Sequence, residues 1–276
     1  MLELYHYNNS ICSERVRMAL HEKHVHDWVS HHVDLFKGEQ FAPEYIKLNP
    51  KAETPTLVHD AAIIRESSLI CEYIDDVYAE PLLKPGDPVG VAHMREWVKR
   101  SDDHLYEAVA SLSFVSVFRQ TLNDKSAEAK EQHFRSQTDL PRLMRQRSCV
   151  ESGFASDYVT RSVYNVMKLS DDLDKHLKLE GPWLLGDQYT LAEIDYSPFL
   201  ARLEALEMLD LFFEGKQAAN RWWYACKDRQ SFSAAEVGPA AGIEAERYAQ
   251  CGRESRAELE QLIARIQTSS SYDLLL

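Results

Sequence analysis

Glycine and proline are scarce, ten of each in 276 residues, against average usage of about 7% and 5%. So few turn-formers cannot supply the many hairpins of a sandwich or barrel, and the chain is expected to be mostly helical. Only Gly38 precedes residue 86, so the N-terminal third has no glycine-rich cradle for nucleotide phosphates. Positive charge is also short: 31 Lys and Arg face 44 Asp and Glu, a net charge of −13. That balance repels phosphate backbones and anionic headgroups, which argues against nucleic-acid and membrane-surface partners. No run approaches the roughly 18 apolar residues of a membrane span. The five cysteines (Cys12, Cys71, Cys149, Cys226, Cys251) are odd in number and lack CxxC spacing, as expected of reduced thiols. Neither a GxSxG elbow nor an HExxH motif is present. With no basic and then apolar leader at its start, the chain is expected to be cytoplasmic.

The residues that are present divide the chain. Six prolines (Pro43, Pro50, Pro55, Pro81, Pro85, Pro88) fall between residues 43 and 88, and only four follow. This predicts a domain of short elements over residues 1–80, a linker over 81–90 and a helical domain over 91–276. In the first part, Leu2–Tyr7 reads as a strand and Ser13–Lys23 as a helix. Trp28–Val33 reads as a second strand, Pro43–Lys47 as a helical turn, and residues 56–64 as a hairpin about His59-Asp60-Ala61. A helix opened by Ser67 completes the order β-α-β-α-β-β-α. Beyond the linker, residues 91–118 form one long helical pattern and 159–179 another. Residues 121–155, partly basic at Arg142, Arg145 and Arg147, read as a helix with connections. Thr190 and Glu193 have capping-box spacing, with Tyr189 and Ile194 placed as a staple. The serine-rich tail from Ser269 is expected to fray.

Three places carry candidate chemistry. Ser10, Cys12 and Ser13 lie where the first strand passes into the first helix. The unpaired amides and positive dipole end of a helix N-terminus favour an anion there, a thiolate included. The plainer reading is an N-cap beside a packed cysteine. In Glu53-Thr54-Pro55-Thr56, a cis Pro55 would leave the preceding backbone free to pair with a peptide-like ligand; an ordinary trans proline at a strand start is the alternative. Glu66 and Ser67 open a helix and suit a zwitterionic amino acid, or are simply a capping pair. The histidines His21, His24, His26, His31 and His32 invite a metal. Their spacing spans a helix end, a loop and both faces of a strand, so no metal site is expected. Trp222 and Trp223 read as core.

Taken in order, NSICSERVRMAL (9–20), LNPKAETPTLV (48–58), RESSLICEYIDDVY (65–78) and GDQYTLAEIDY (186–196) resemble the glutathione transferase superfamily. The resemblance covers nearly the whole chain. It implies an α/β thioredoxin-like N-terminal domain, an all-α C-terminal domain, and glutathione as co-substrate. In the zeta-like serine classes the residue contacting the glutathione sulfur matches Ser10. SICS with LNPKAETPTLV is similar to glutathione-dependent reductive dehalogenases of chlorinated hydroquinones, whose catalytic cysteine matches Cys12. ESSLICEYIDDVY, the run 87–97 and the stretch 140–154 are similar to the lignin β-aryl etherases, whose sulfur-contacting serine matches Ser13. The γ-glutamyl pair matches Glu66 and Ser67, and the cis-proline position Pro55; Thr54 and Lys51 are further glutathione-site candidates. Two departures are Ala52, where the family often has Gly, and Thr54, where Val usually precedes the proline.

The resemblance implies a transferase in which the glutathione thiolate attacks an electrophilic carbon of a hydrophobic aromatic co-substrate, with cleavage of a β-aryl ether favoured. Tyr106, Phe114 and Phe118 are candidates for the co-substrate pocket, and a homodimer is the family's usual assembly. Two alternatives stand beside it: thiol–disulfide chemistry at Cys12, of the dehalogenase or deglutathionylase kind, and a non-catalytic protein-binding scaffold.

Overall fold

The first strand is the spine of a small sheet. A computed structural model describes residues 1–137, 139–239 and 243–268; the expected fraying from Ser269 lies outside the described residues. Strand β1 (Leu2–His6) buries Leu2, Leu4 and His6 on one face by simple alternation. It pairs in parallel with β2 (Val29–His32) and antiparallel with β3 (Thr56–His59), and β3 pairs antiparallel with β4 (Ala62–Ile64), giving the order β2-β1-β3-β4. Leu4 stands opposite Leu57 and Tyr5 opposite His31. Helix α1 (Ile11–Glu22) follows β1, α2 (Pro43–Leu48) follows β2, and α3 (Ser67–Val77) follows β4. The expected β-α-β-α-β-β-α order is thus observed, with α1 and α3 packed together.

Among the described residues after 87 there are helices and loops, with isolated β-bridges only at Trp183–Gly186 and Leu185–Gln188. α4 (Pro88–Arg100), α5 (Tyr106–Ser113) and α6 (Arg119–Asn123) form a run interrupted by π-helical turns at Ser101–Leu105 and Phe114–Phe118. The long helical pattern expected over 91–118 is observed, its phase broken by these two turns. Each π turn holds an extra residue and shifts the phase of everything after it, which a fixed 3.6-residue period does not register. Then come α7 (Ala127–Arg135), α8 (Leu140–Ser152), α9 (Asp157–Glu180), α10 (Leu191–Ala205), α11 (Leu209–Phe213), α12 (Gln217–Lys227), α13 (Gln230–Ala234) and α14 (Ile243–Thr268). No described helix is long and apolar enough to cross a membrane.

By packing, the chain gathers into two compact units, each drawn from several stretches. One takes Met1–Lys99, Leu177–Ala201 and the stretch from Arg221 up to α14; the other takes Arg100–His176, Arg202–Asn220 and the C-terminal helix. The first is organised about α1. Its Val16, Ala19 and Leu20 are fully buried, and so are charged residues that a surface helix would leave in water. Arg15 pairs with Asp195 of α10 at 2.8 Å. Arg17 donates to the carbonyls of Asn8 and Ala235, each at 2.9 Å. Glu22 accepts from Arg229 and from the Ser231 hydroxyl, and Glu14 from the Gly238 amide. At the start of α10 the capping box forms: Glu193 accepts from the Thr190 amide at 2.8 Å. The Thr190 hydroxyl takes the amide of Ala192 rather than that of Glu193 as the spacing implied. Glu193 also accepts from Leu184, so one buried carboxylate fixes both the helix start and the loop before it. Trp222 and Trp223 are core, as expected.

Candidate functional site

The turn Tyr7–Ser10 feeds β1 into α1. The Ser10 amide donates to the Tyr7 carbonyl at 3.1 Å, and Ser10 caps the helix, its Oγ accepting from the Ser13 amide at 3.4 Å. A hydroxyl used in this way still has its own proton to give. The three rival positions are not equivalent. Ser13 is fully buried, and its Oγ accepts from the Tyr7 amide. Ser10 and Cys12 are half-buried, on the first turn of a twelve-residue helix. No disulfide joins any of the cysteines, and Cys71, Cys149 and Cys226 are buried. Burial pushes the Cys149 thiol up to about 11 and raises that of Cys226 further from its ordinary value.

The second element is the loop before β3. The Thr54–Pro55 peptide is cis. Side chains that the motif reading passed over hold this loop: Tyr45 donates to the Glu53 carbonyl at 2.5 Å, and Asn49 Nδ2 donates to the same oxygen at 2.9 Å. Both also meet Thr56 Oγ1, and Asn49 Oδ1 accepts from the Lys51 amide. Burial pushes the Tyr45 phenol up to about 12, so it stays a donor. Ala52 has φ +54°, a left-handed conformation that glycine adopts without steric cost. The departure from the family's glycine therefore falls where a Cβ is least welcome. Thr54 Oγ1 is buried with no hydrogen-bond partner among the described residues.

The third element is the start of α3. Glu66, at φ +65°, precedes the helix, and Ser67 is its first residue. Lys51 Nζ lies 2.7 Å from Glu66 Oε1, an exposed ion pair. The Ser67 hydroxyl accepts from Arg15 Nη1 at 3.1 Å. Because the same Arg15 atom pairs with Asp195 and its guanidinium lies over the Phe199 ring, one buried arginine ties the starts of α1 and α3 to α10. Arg15 and Asp195 each lie within a quoted motif, NSICSERVRMAL and GDQYTLAEIDY, but nothing in either motif signals that the two pair.

Residues 9–77 match the glutathione S-transferase N-terminal domain family. The chain carries a glutathione S-transferase N-terminal domain and is similar over most of its length to proteins of that superfamily. The chain is 28% identical over 199 residues to protein LigF of Sphingobium sp. strain SYK-6, covering 70% of this chain and 75% of LigF. It is also 28% identical over 251 residues to the tetrachloro-p-hydroquinone reductive dehalogenase of Sphingobium chlorophenolicum, covering 86% and 96%. Its fold is that of the crystal structure of the β-etherase LigF, with a TM-score of 0.74 at 24% identity over 85% of this chain and 98% of that one. A glutathione transferase from Burkholderia graminis, solved with two glutathione molecules bound per subunit, superposes with a TM-score of 0.63 at 22% identity, over 87% and 89%.

Other predicted features lie elsewhere in the chain. His31 pairs with Glu3 at 2.7 Å and stacks on Tyr5, while the His21 and His26 rings lie 5.9 Å apart. Among the described residues no group of three or more His, Cys, Asp or Glu is placed to hold a metal. Tyr106, Phe114 and Phe118 all belong to the helical unit; the last two have ring centroids 5.9 Å apart.

Proposed function

We infer that this protein is a glutathione-dependent transferase that acts on a hydrophobic aromatic electrophile. The observation that carries the reading is the coupling of two helix starts through Arg15, with Ser10 at one and Ser67 at the other. The Ser67 oxygen is already occupied as an acceptor, so its own proton turns to an outside acceptor, as the α-carboxylate of a γ-glutamyl group would be. Glu66 suits the ammonium of the same group, and Lys51 and the Thr54–Pro55 edge suit the rest of the tripeptide. Donation from the Ser10 hydroxyl, with the amides and dipole end of α1, favours the sulfur as thiolate. A carbon–sulfur bond then forms as the bond to an aryloxide leaving group breaks, the pair of electrons departing with oxygen. β-Aryl ether cleavage is the form favoured by the LigF likeness.

In this reading residues 1–80 carry glutathione, 81–90 are a linker, and residues 91–276 choose the co-substrate through aromatics such as Tyr106, Phe114 and Phe118. A cytoplasmic homodimer is its expected form. A second reading rests on the half-buried position of Cys12 in the first turn of α1: its thiolate would attack a glutathionyl mixed disulfide and release glutathione thiolate. Retention on immobilised glutathione tests the common ground. Thioether formation from aryl ethers, compared between Ser10→Ala and Cys12→Ser, separates the two. Loss of turnover by roughly 100-fold in Ser10→Ala alone supports the transferase form, whereas loss in Cys12→Ser alone supports exchange at the cysteine.

A further inference from the structure

The helical unit holds a buried cation with no counter-ion among the described residues. Arg145 on α8 is 9% exposed, its Nε is buried with no hydrogen-bond partner, and no carboxylate of a described residue pairs with its guanidinium. Its neighbour Arg147, more exposed, pairs with Glu131 at 3.2 Å. The acid beside Tyr106, Glu107, is held by Arg161. Cys149, one turn along α8, supplies no charge, because burial keeps its thiol protonated. Arg119 adds a second cation on this side of the unit, its Nε donating to the Val150 carbonyl at 3.1 Å.

What Arg145 does have is an aromatic face. Its Cζ lies 5.8 Å from the centroid of the Tyr106 ring. The helical run that carries Tyr106 also carries Phe114 and Phe118. Between and beside these are the Ser113 and Ser116 hydroxyls, each with a buried oxygen and no hydrogen-bond partner among the described residues. A planar fork of donors over an aromatic ring matches a planar anion attached to an aromatic ring. Leaving such a cation buried and unpaired is unfavourable unless an anion completes it.

We propose that Arg145 and Tyr106 form a recognition site for the carboxylate of an aromatic co-substrate, the guanidinium taking the two carboxylate oxygens and Tyr106 taking the ring. This builds on the transferase reading, whose co-substrate it makes an aryl carboxylate, and it places a specificity residue in the basic stretch of α8. Tyr106 becomes the ring's platform and Arg145 the reader of its charge.

The test uses phenoxyacetate, an aryl ether bearing a carboxylate, against its neutral methyl ester, with binding measured by calorimetry on the full chain without glutathione. Wild type is expected to prefer the carboxylate by roughly tenfold or more, and Arg145→Gln to bind both alike. Arg145→Lys, which keeps the charge and loses the fork, is expected to retain a preference reduced severalfold. Should the glutamine variant fail to fold, the lysine variant decides. Equal binding of the two compounds by wild type, or an undiminished preference in the variants, overturns the proposal. Retention of wild type on immobilised glutathione is scored separately: its failure removes the transferase reading and leaves the carboxylate preference to stand or fall by itself.

Discussion

Two buried arginines in the same chain live by opposite rules. Arg15 in the sheet unit meets Asp195, Ser67 and the face of Phe199. Arg145 in the helical unit meets the Tyr106 ring and no carboxylate of a described residue. The first is a structural rivet whose charge is matched from within. The second keeps its donors for something that no described residue supplies. Matched buried charge holds a site in shape, and unmatched buried charge gives a site something to recognise.

Stability measurements break or sharpen that contrast. Asp195→Ala strands Arg15 as an uncompensated buried cation and is expected to cost about 3–5 kcal/mol in urea unfolding. Arg145→Met removes a cation that has no partner to strand, and is expected to cost under about 1 kcal/mol or to stabilise. Equal losses at the two positions would erase the distinction. A milder effect concerns pH. His6 is buried beside Arg17, its Nε2 2.8 Å from Ser30 Oγ, and burial first and Arg17 second pull its pKa down to about 4. The folded state therefore prefers neutral His6, while the unfolded chain takes up a proton near its ordinary 6.5. The resulting stability is fully present above pH 6.5 and is lost as pH falls through about 4. Unfolding free energies from denaturant titrations across that window should fall by about 2 kcal/mol in wild type relative to His6→Gln. The smallest effect lies in the loop before β3. Ala52→Gly relieves the φ of +54°. Set against the backbone entropy that glycine loses, this leaves a gain of ~0.5 kcal/mol, read as a rise in melting temperature.

Those residues also mark how far the sequence alone could be read. The β-α-β-α-β-β-α order was legible because strand alternation and helical spacing are local patterns. So were the positions of Ser10 as a helix cap, of cis Pro55 before β3, and of Glu66 and Ser67 at the start of α3, since short motifs carry them. Arg15 was written inside one of those motifs, but its partner Asp195 lies 180 positions away, and no local pattern connects them. The three arginines of α8 look alike in sequence. Only the packing of the helix decides that Arg147 reaches Glu131 while Arg145 turns inward to Tyr106. The π turns hid for another reason: an inserted residue changes phase without changing composition.

The clasp on α1 bears on how this protein is made. Glu22 waits for Arg229 and Ser231, Arg17 for the Ala235 carbonyl, and Glu14 for the Gly238 amide, contacts that span 207 to 224 positions. Nascent chains emerge from the N-terminus, so α1 is synthesised long before the residues that complete its contacts. Until residue 238 has cleared the ribosome, its buried charges face water or a chaperone rather than their partners. An early segment is locked by one more than 200 positions later, and a chain cut short between the two lacks that fastening.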